Sequence, residues 1–71
     1  MFTVGDKIKI RKDYPNRKLI KDDIKHRNND DVGVVMEIRN GNHYTITVKF
    51  ENNDEILYFN EDALVKINDN N

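Results

Sequence analysis

The run Lys7-Ile8-Lys9-Ile10-Arg11 alternates strictly between charged and apolar residues. This period of two constrains the chain more than any other feature. Successive side chains on a strand point to opposite faces, so Ile8 and Ile10 share a face that must be covered, and Lys7, Lys9 and Arg11 share a wet one. Such a pattern belongs to an antiparallel sheet with one solvated side. The period recurs in residues 32–39, where Val32, Val34, Met36 and Ile38 are expected inward and Gly33, Val35, Glu37 and Arg39 outward. It recurs again in 44–50, with Tyr44, Ile46, Val48 and Phe50 inward. Residues 55–59 are apolar on both parities, and 64–67 read as a last, short strand.

The breaks between these runs are turns. Asn40-Gly41 joins two alternating runs, and both residue types tolerate positive φ, which predicts a tight hairpin. Asn52-Asn53-Asp54 predicts a second. Asn60-Glu61-Asp62-Ala63 predicts a single 3₁₀ turn capped by Asn60. Gly33, within a strand, marks a bulge or a close backbone approach. Residues 12–31 keep no period of two. Tyr14-Pro15 ends the first strand, because Pro has no ladder donor. Ile20 and Ile24, four apart, predict a short helix within 16–27, and 28–31 a polar turn. One domain is expected over 1–67, with a frayed tail at 68–71.

Seventy-one residues, 37% of them apolar, allow one small core. No apolar run approaches the roughly 18 residues of a membrane span. The absence of Cys excludes a disulfide scaffold, a zinc finger and a cysteine nucleophile. Residues 1–6 carry no charged leader followed by an apolar stretch, so a cytoplasmic chain is expected. Ser is absent, which excludes a Ser-His-Asp arrangement. Gly5, Gly33 and Gly41 are too dispersed to cradle a phosphate. His26 and His43 lack partners at ligand spacing and are expected at the surface. Asp22-Asp23 and Asp30-Asp31 are expected as turn formers and helix caps. No catalytic residue, metal or cofactor is expected, and the chain is not read as an enzyme.

The formal net charge of −1 conceals a split. Residues 1–30 hold nine basic and five acidic groups; residues 31–71 hold three and eight. The candidate binding residues are therefore Lys7, Lys9 and Arg11 on the first strand, spaced roughly 7 Å apart, and Lys12, Arg17, Lys18, Lys21, Lys25 and Arg27 after it. Duplex DNA offers a charge about every 1.7 Å, which such a set could track, and Tyr14 within it could stack on a base. Tyr58 and Phe59 lie on opposite parities, so one of them is expected outside, where it would start a protein-binding patch.

Five short strands with tight hairpins and a single-turn helix before the last strand predict a small barrel. The series Val4-Gly5-Asp6-Lys7-Ile8-Lys9-Ile10, Val32-Gly33-Val34-Val35-Met36-Glu37-Ile38, Thr45-Ile46-Thr47-Val48-Lys49-Phe50 and Asp62-Ala63-Leu64-Val65-Lys66-Ile67 resembles SH3-like barrels. Its layout is similar to KOW, Tudor-like and Mib/Herc2 modules. In length, order and basic insertion it resembles the small YorP-like proteins of bacillus prophages. The resemblance implies a mainly β, five-stranded SH3-like barrel with a short helix or loop insertion between strands one and two. It carries no functional residues over. The expectation is a monomeric binding module for a protein partner, with nucleic acid, held by the basic segment 7–27, as the alternative.

Overall fold

A computed structural model describes residues 1–67; the tail expected at 68–71 lies outside the described residues. The elements are β1 (Lys7–Ile10), a 3₁₀ turn (Asn16–Lys18), α1 (Lys21–Asn28), β2 (Gly33–Ile38), β3 (Ile46–Phe50), β4 (Ile56–Phe59), a second 3₁₀ turn (Glu61–Ala63) and β5 (Leu64–Lys66). The chain is thus mainly β, with the short helix in the expected insertion. The strands form one antiparallel sheet in the order β4-β3-β2-β1-β5. β4 and β5 are its two edges and do not pair with each other, so the sheet is not a closed barrel. No helix among the described residues is long and apolar enough to cross a membrane.

The core is built from the alternating positions. Ile8 and Ile10 of β1, Ile46, Val48 and Phe50 of β3, Phe59 of β4 and Leu64 of β5 are all buried. Phe50 and Phe59 meet edge to face, with ring centroids 6.1 Å apart. Each such ring contributes about 2–3 kcal/mol of apolar transfer free energy. Leu57 packs against the cluster from the edge strand.

β2 departs from its expected parity. Gly33 and Val35 are buried, whereas Met36 and Ile38 are exposed. Register explains the difference. Gly33 lies opposite Phe50 and Val35 opposite Val48, but Glu37 then lies opposite Thr47, so Met36 is the extra residue of a bulge. Ile38 is again opposite the buried Ile46, so the bulge restores it to the core-side register at the end of the sheet.

Two turns also differ from expectation. The connection after β2 is not a two-residue hairpin; it runs from Arg39 to Thr45 and is closed by Arg39 N–H donating to Thr45 O at 2.8 Å. Tyr44 falls in that loop with φ 53°, and its side chain is exposed rather than part of the core. Asn60 occupies the N-cap of the second 3₁₀ turn, as expected, but makes no side-chain capping bond there. Its Oδ1 instead accepts the Tyr44 N–H at 2.6 Å. The turn after β3 forms as expected, with Asp54 at φ 61°.

Candidate functional site

The ten candidate binding residues do not end in equivalent settings. On the wet face of β1, Lys7 lies 3.6 Å from Glu51 and Lys9 lies 3.9 Å from Asp30. Lys12 reaches the same Asp30 at 3.0 Å and donates to the Arg27 carbonyl. Arg11 pairs with Asp13 at 3.2 Å. Arg27 is half-buried and spends its Nη1 on the Tyr14 carbonyl at 2.8 Å. Tyr14 itself is buried in the core, with its hydroxyl donating to Asp62 Oδ1 at 3.2 Å, so its ring is not available for stacking on a base. Arg17, Lys21 and Lys25 are exposed and make no ion pair among the described residues. The basic set is therefore divided: part is neutralised by neighbouring carboxylates, part holds the insertion onto the sheet, and Arg17, Lys21 and Lys25 stand exposed.

A groove of about 470 Å³ opens elsewhere, at the β4 edge. It is lined by Leu57 and Tyr58 of β4, by Ile20 and Tyr44, and by the charged residues Lys18, Asp23 and Arg39. Each is placed by a local cause. Ile20 is extended, at the residue before α1, which turns its side chain out of the helix and leaves it exposed. Tyr44 is presented by its left-handed backbone and by Asn60. Tyr58 takes the outward parity of β4, and Lys18 leans over the Tyr14 ring at 5.7 Å.

Asp23 is the buried charged group of this groove. It is 5% exposed. Its Oδ2 accepts the Ile20 N–H at 3.1 Å, which caps α1, while Oδ1 is buried without a partner among the described residues. Burial raises the Asp23 carboxyl above the usual carboxylate range.

A second polar cluster surrounds His26, which is 3% exposed rather than at the surface. Its ring stacks on Phe50 at 3.9 Å. Nδ1 lies 2.8 Å from Asp31 Oδ2 and Nε2 lies 2.8 Å from Glu55 Oε1. The hydrogen bond from His26 holds the Glu55 carboxyl below its ordinary range, and the neighbouring Glu55 raises that of Asp22. With both ring nitrogens facing protein carboxylates, neither is directed at a substrate, so the cluster is built to hold α1 against β3 and β4. No group among the described residues is arranged to hold a metal ion.

The outward aromatic of β4 was readable from parity and is Tyr58, with Phe59 in the core; the rest of the groove and this cluster were not readable from local patterns. The Ile20–Ile24 spacing pointed to an apolar helix face, whereas Asp23 and His26, three apart, are the buried positions. That spacing was the available signal, but Glu55 is 29 residues away from His26 and leaves none. In comparisons with known proteins, no family model, no curated protein and no solved structure matches the chain.

Proposed function

We propose that the protein is a non-enzymatic, monomeric binding module that takes a peptide segment of a protein partner along β4. The observation that carries this reading is the coincidence of the groove with an open sheet edge. Phe50 N–H donates to Glu55 O at 2.9 Å, so Glu55 directs its carbonyl toward β3. Antiparallel alternation then turns the backbone groups of Leu57 and Phe59 inward and those of Ile56 and Tyr58 outward. An extended peptide can pair with those outward groups while side chains enter the groove, the mode called β-augmentation. The strand order β4-β3-β2-β1-β5 supports the SH3-like reading of the fold. The prophage kinship and cytoplasmic setting belong to the same proposal.

A second reading has its own support. Tyr44 and Tyr58 are each about half exposed, at 55% and 52%, beside Lys18 and Arg39, and aromatic rings next to cations bind single-stranded nucleic acid. The buried carboxylate and the free strand edge favour the peptide.

Display of a random peptide library against the full chain tests the proposal. Peptides retained by the protein and lost with Tyr58→Glu are the expected result. Recovery of no peptide, or of peptides indifferent to Tyr58→Glu, overturns it. Binding of a labelled single-stranded oligonucleotide at low salt, weakened by added salt and by Lys18→Glu, favours the second reading.

A further inference from the structure

We infer that the peptide taken by this groove is an extended segment in which acidic side chains alternate with apolar side chains bearing a single N–H or O–H donor. The inference rests on the peptide reading of the groove and names the partner's chemistry. Three features carry it.

The first is charge. On β1 and in the insertion, Lys9 and Lys12 are answered by Asp30, and Arg11 by Asp13. In the groove, Lys18 and Arg39 make no ion pair among the described residues. Two cations flanking an apolar trough are complementary to a partner carboxylate, and Arg39 adds a planar fork of donors suited to one.

The second is parity. A strand added to β4 presents its side chains alternately to the two faces of the sheet. Leu57 packs against the core cluster, whereas Tyr58 takes the outward parity. Every second peptide residue therefore lies on the apolar face of Leu57, and the residues between lie beside Tyr58 on the solvent face. This separates the apolar positions from the acidic ones.

The third is Asp23, which lines the groove and whose buried Oδ1 has no partner among the described residues. An aliphatic side chain would leave it unsatisfied, at a cost that a donor removes. The apolar positions are thus suited to Tyr or Trp.

Fluorescence polarisation with three labelled octapeptides tests the inference: alternating Tyr and Glu, alternating Tyr and Lys, and alternating Tyr and Ser. The Tyr-Glu peptide is expected to bind at least tenfold more tightly than the Tyr-Lys peptide. Arg39→Glu is expected to reverse that order. Asp23→Asn, which turns a donor rather than an acceptor toward the groove if its oxygen keeps the Ile20 N–H, is expected to weaken Tyr-Glu binding about tenfold, with unchanged far-UV circular dichroism. Equal affinity for all three peptides, or indifference to Arg39→Glu, overturns the inference. So does binding of none of them while the random library still yields peptides that need Tyr58, and then the peptide reading stands. A library without binders overturns both. An oligo-dT probe that binds more tightly than any peptide assigns the groove to nucleic acid and also overturns both.

Discussion

Gly33 shows how narrowly a single residue can be constrained in a small core. A Cβ built there would overlap Val48 Cγ1 and approach Ile8 Cδ1 and Phe50 Cε1 to 3.3 Å. Val48, Ile8 and Phe50 are fully buried, and the closest of them, Val48, is β-branched and stiff at χ1, so it cannot swing away. Gly33→Ala is therefore an overpacking substitution, expected to cost about 1–3 kcal/mol. A urea titration followed by far-UV circular dichroism reads the loss as a lower midpoint; an unchanged midpoint would show that β2 does not pass this close to β3. The close approach was legible in the sequence as a glycine inside a strand pattern. Its face was not, because Gly33 contributes no hydropathy to either parity, whereas Val32, Val34, Met36 and Ile38 together outweighed Val35.

At the level of elements, the strands were legible and the departures cluster where one element depends on another. A single parity described β1 and the inward residues Ile46, Val48 and Phe50 of β3, but Thr47, on the outward parity of β3, is also buried. It failed in β2, because the bulge at Met36 places Val35 before it and Ile38 after it in the same core-side register. No local residue type announces that bulge; it is set by pairing with β3. The helix α1 is the clearest case. Its buried residues are Asp23 and His26, so it is held less by an apolar stripe than by the His26 ring on Phe50 and by the carboxylates of Asp31 and Glu55. Replacing His26 with Ala removes the stack and both polar contacts while leaving every sheet residue in place. Native-state hydrogen exchange by NMR is expected to show the α1 amides at least tenfold less protected in His26→Ala, relative to the amides of β2 and β3. Uniform loss of protection across helix and sheet would mean instead that α1 and the sheet open as one unit.

For the molecule as a whole, the distribution of carboxylates sets the response to acid. Asp6 is lowered by the Thr3 N–H at 2.8 Å, Asp30 by the Lys12 ammonium at 3.0 Å, and Glu55 by the His26 hydrogen bond. A carboxyl with a lowered folded pKa contributes stability above its ordinary value and loses it as pH falls through the folded one. Asp22 and Asp23 are raised and act in the opposite sense, with stability present below their ordinary value and lost as pH rises. Protonating the three lowered groups removes their contribution, so the urea midpoint is expected to fall below about pH 4, where carboxylates protonate. Asp23 separates the two opposing contributions. At pH 7 its buried, unpartnered oxygen makes the ionised form costly, so Asp23→Asn is expected to be at least as stable as the parent chain, even though it loses affinity in the groove. At acid pH Asp23 is protonated in both the folded and the unfolded chain, so this advantage disappears and the two stability curves converge. Urea midpoints for both chains from pH 7 to pH 3 measure this. Curves that run parallel across the whole range would show that Asp23 is not an ionised, destabilising group in the folded protein.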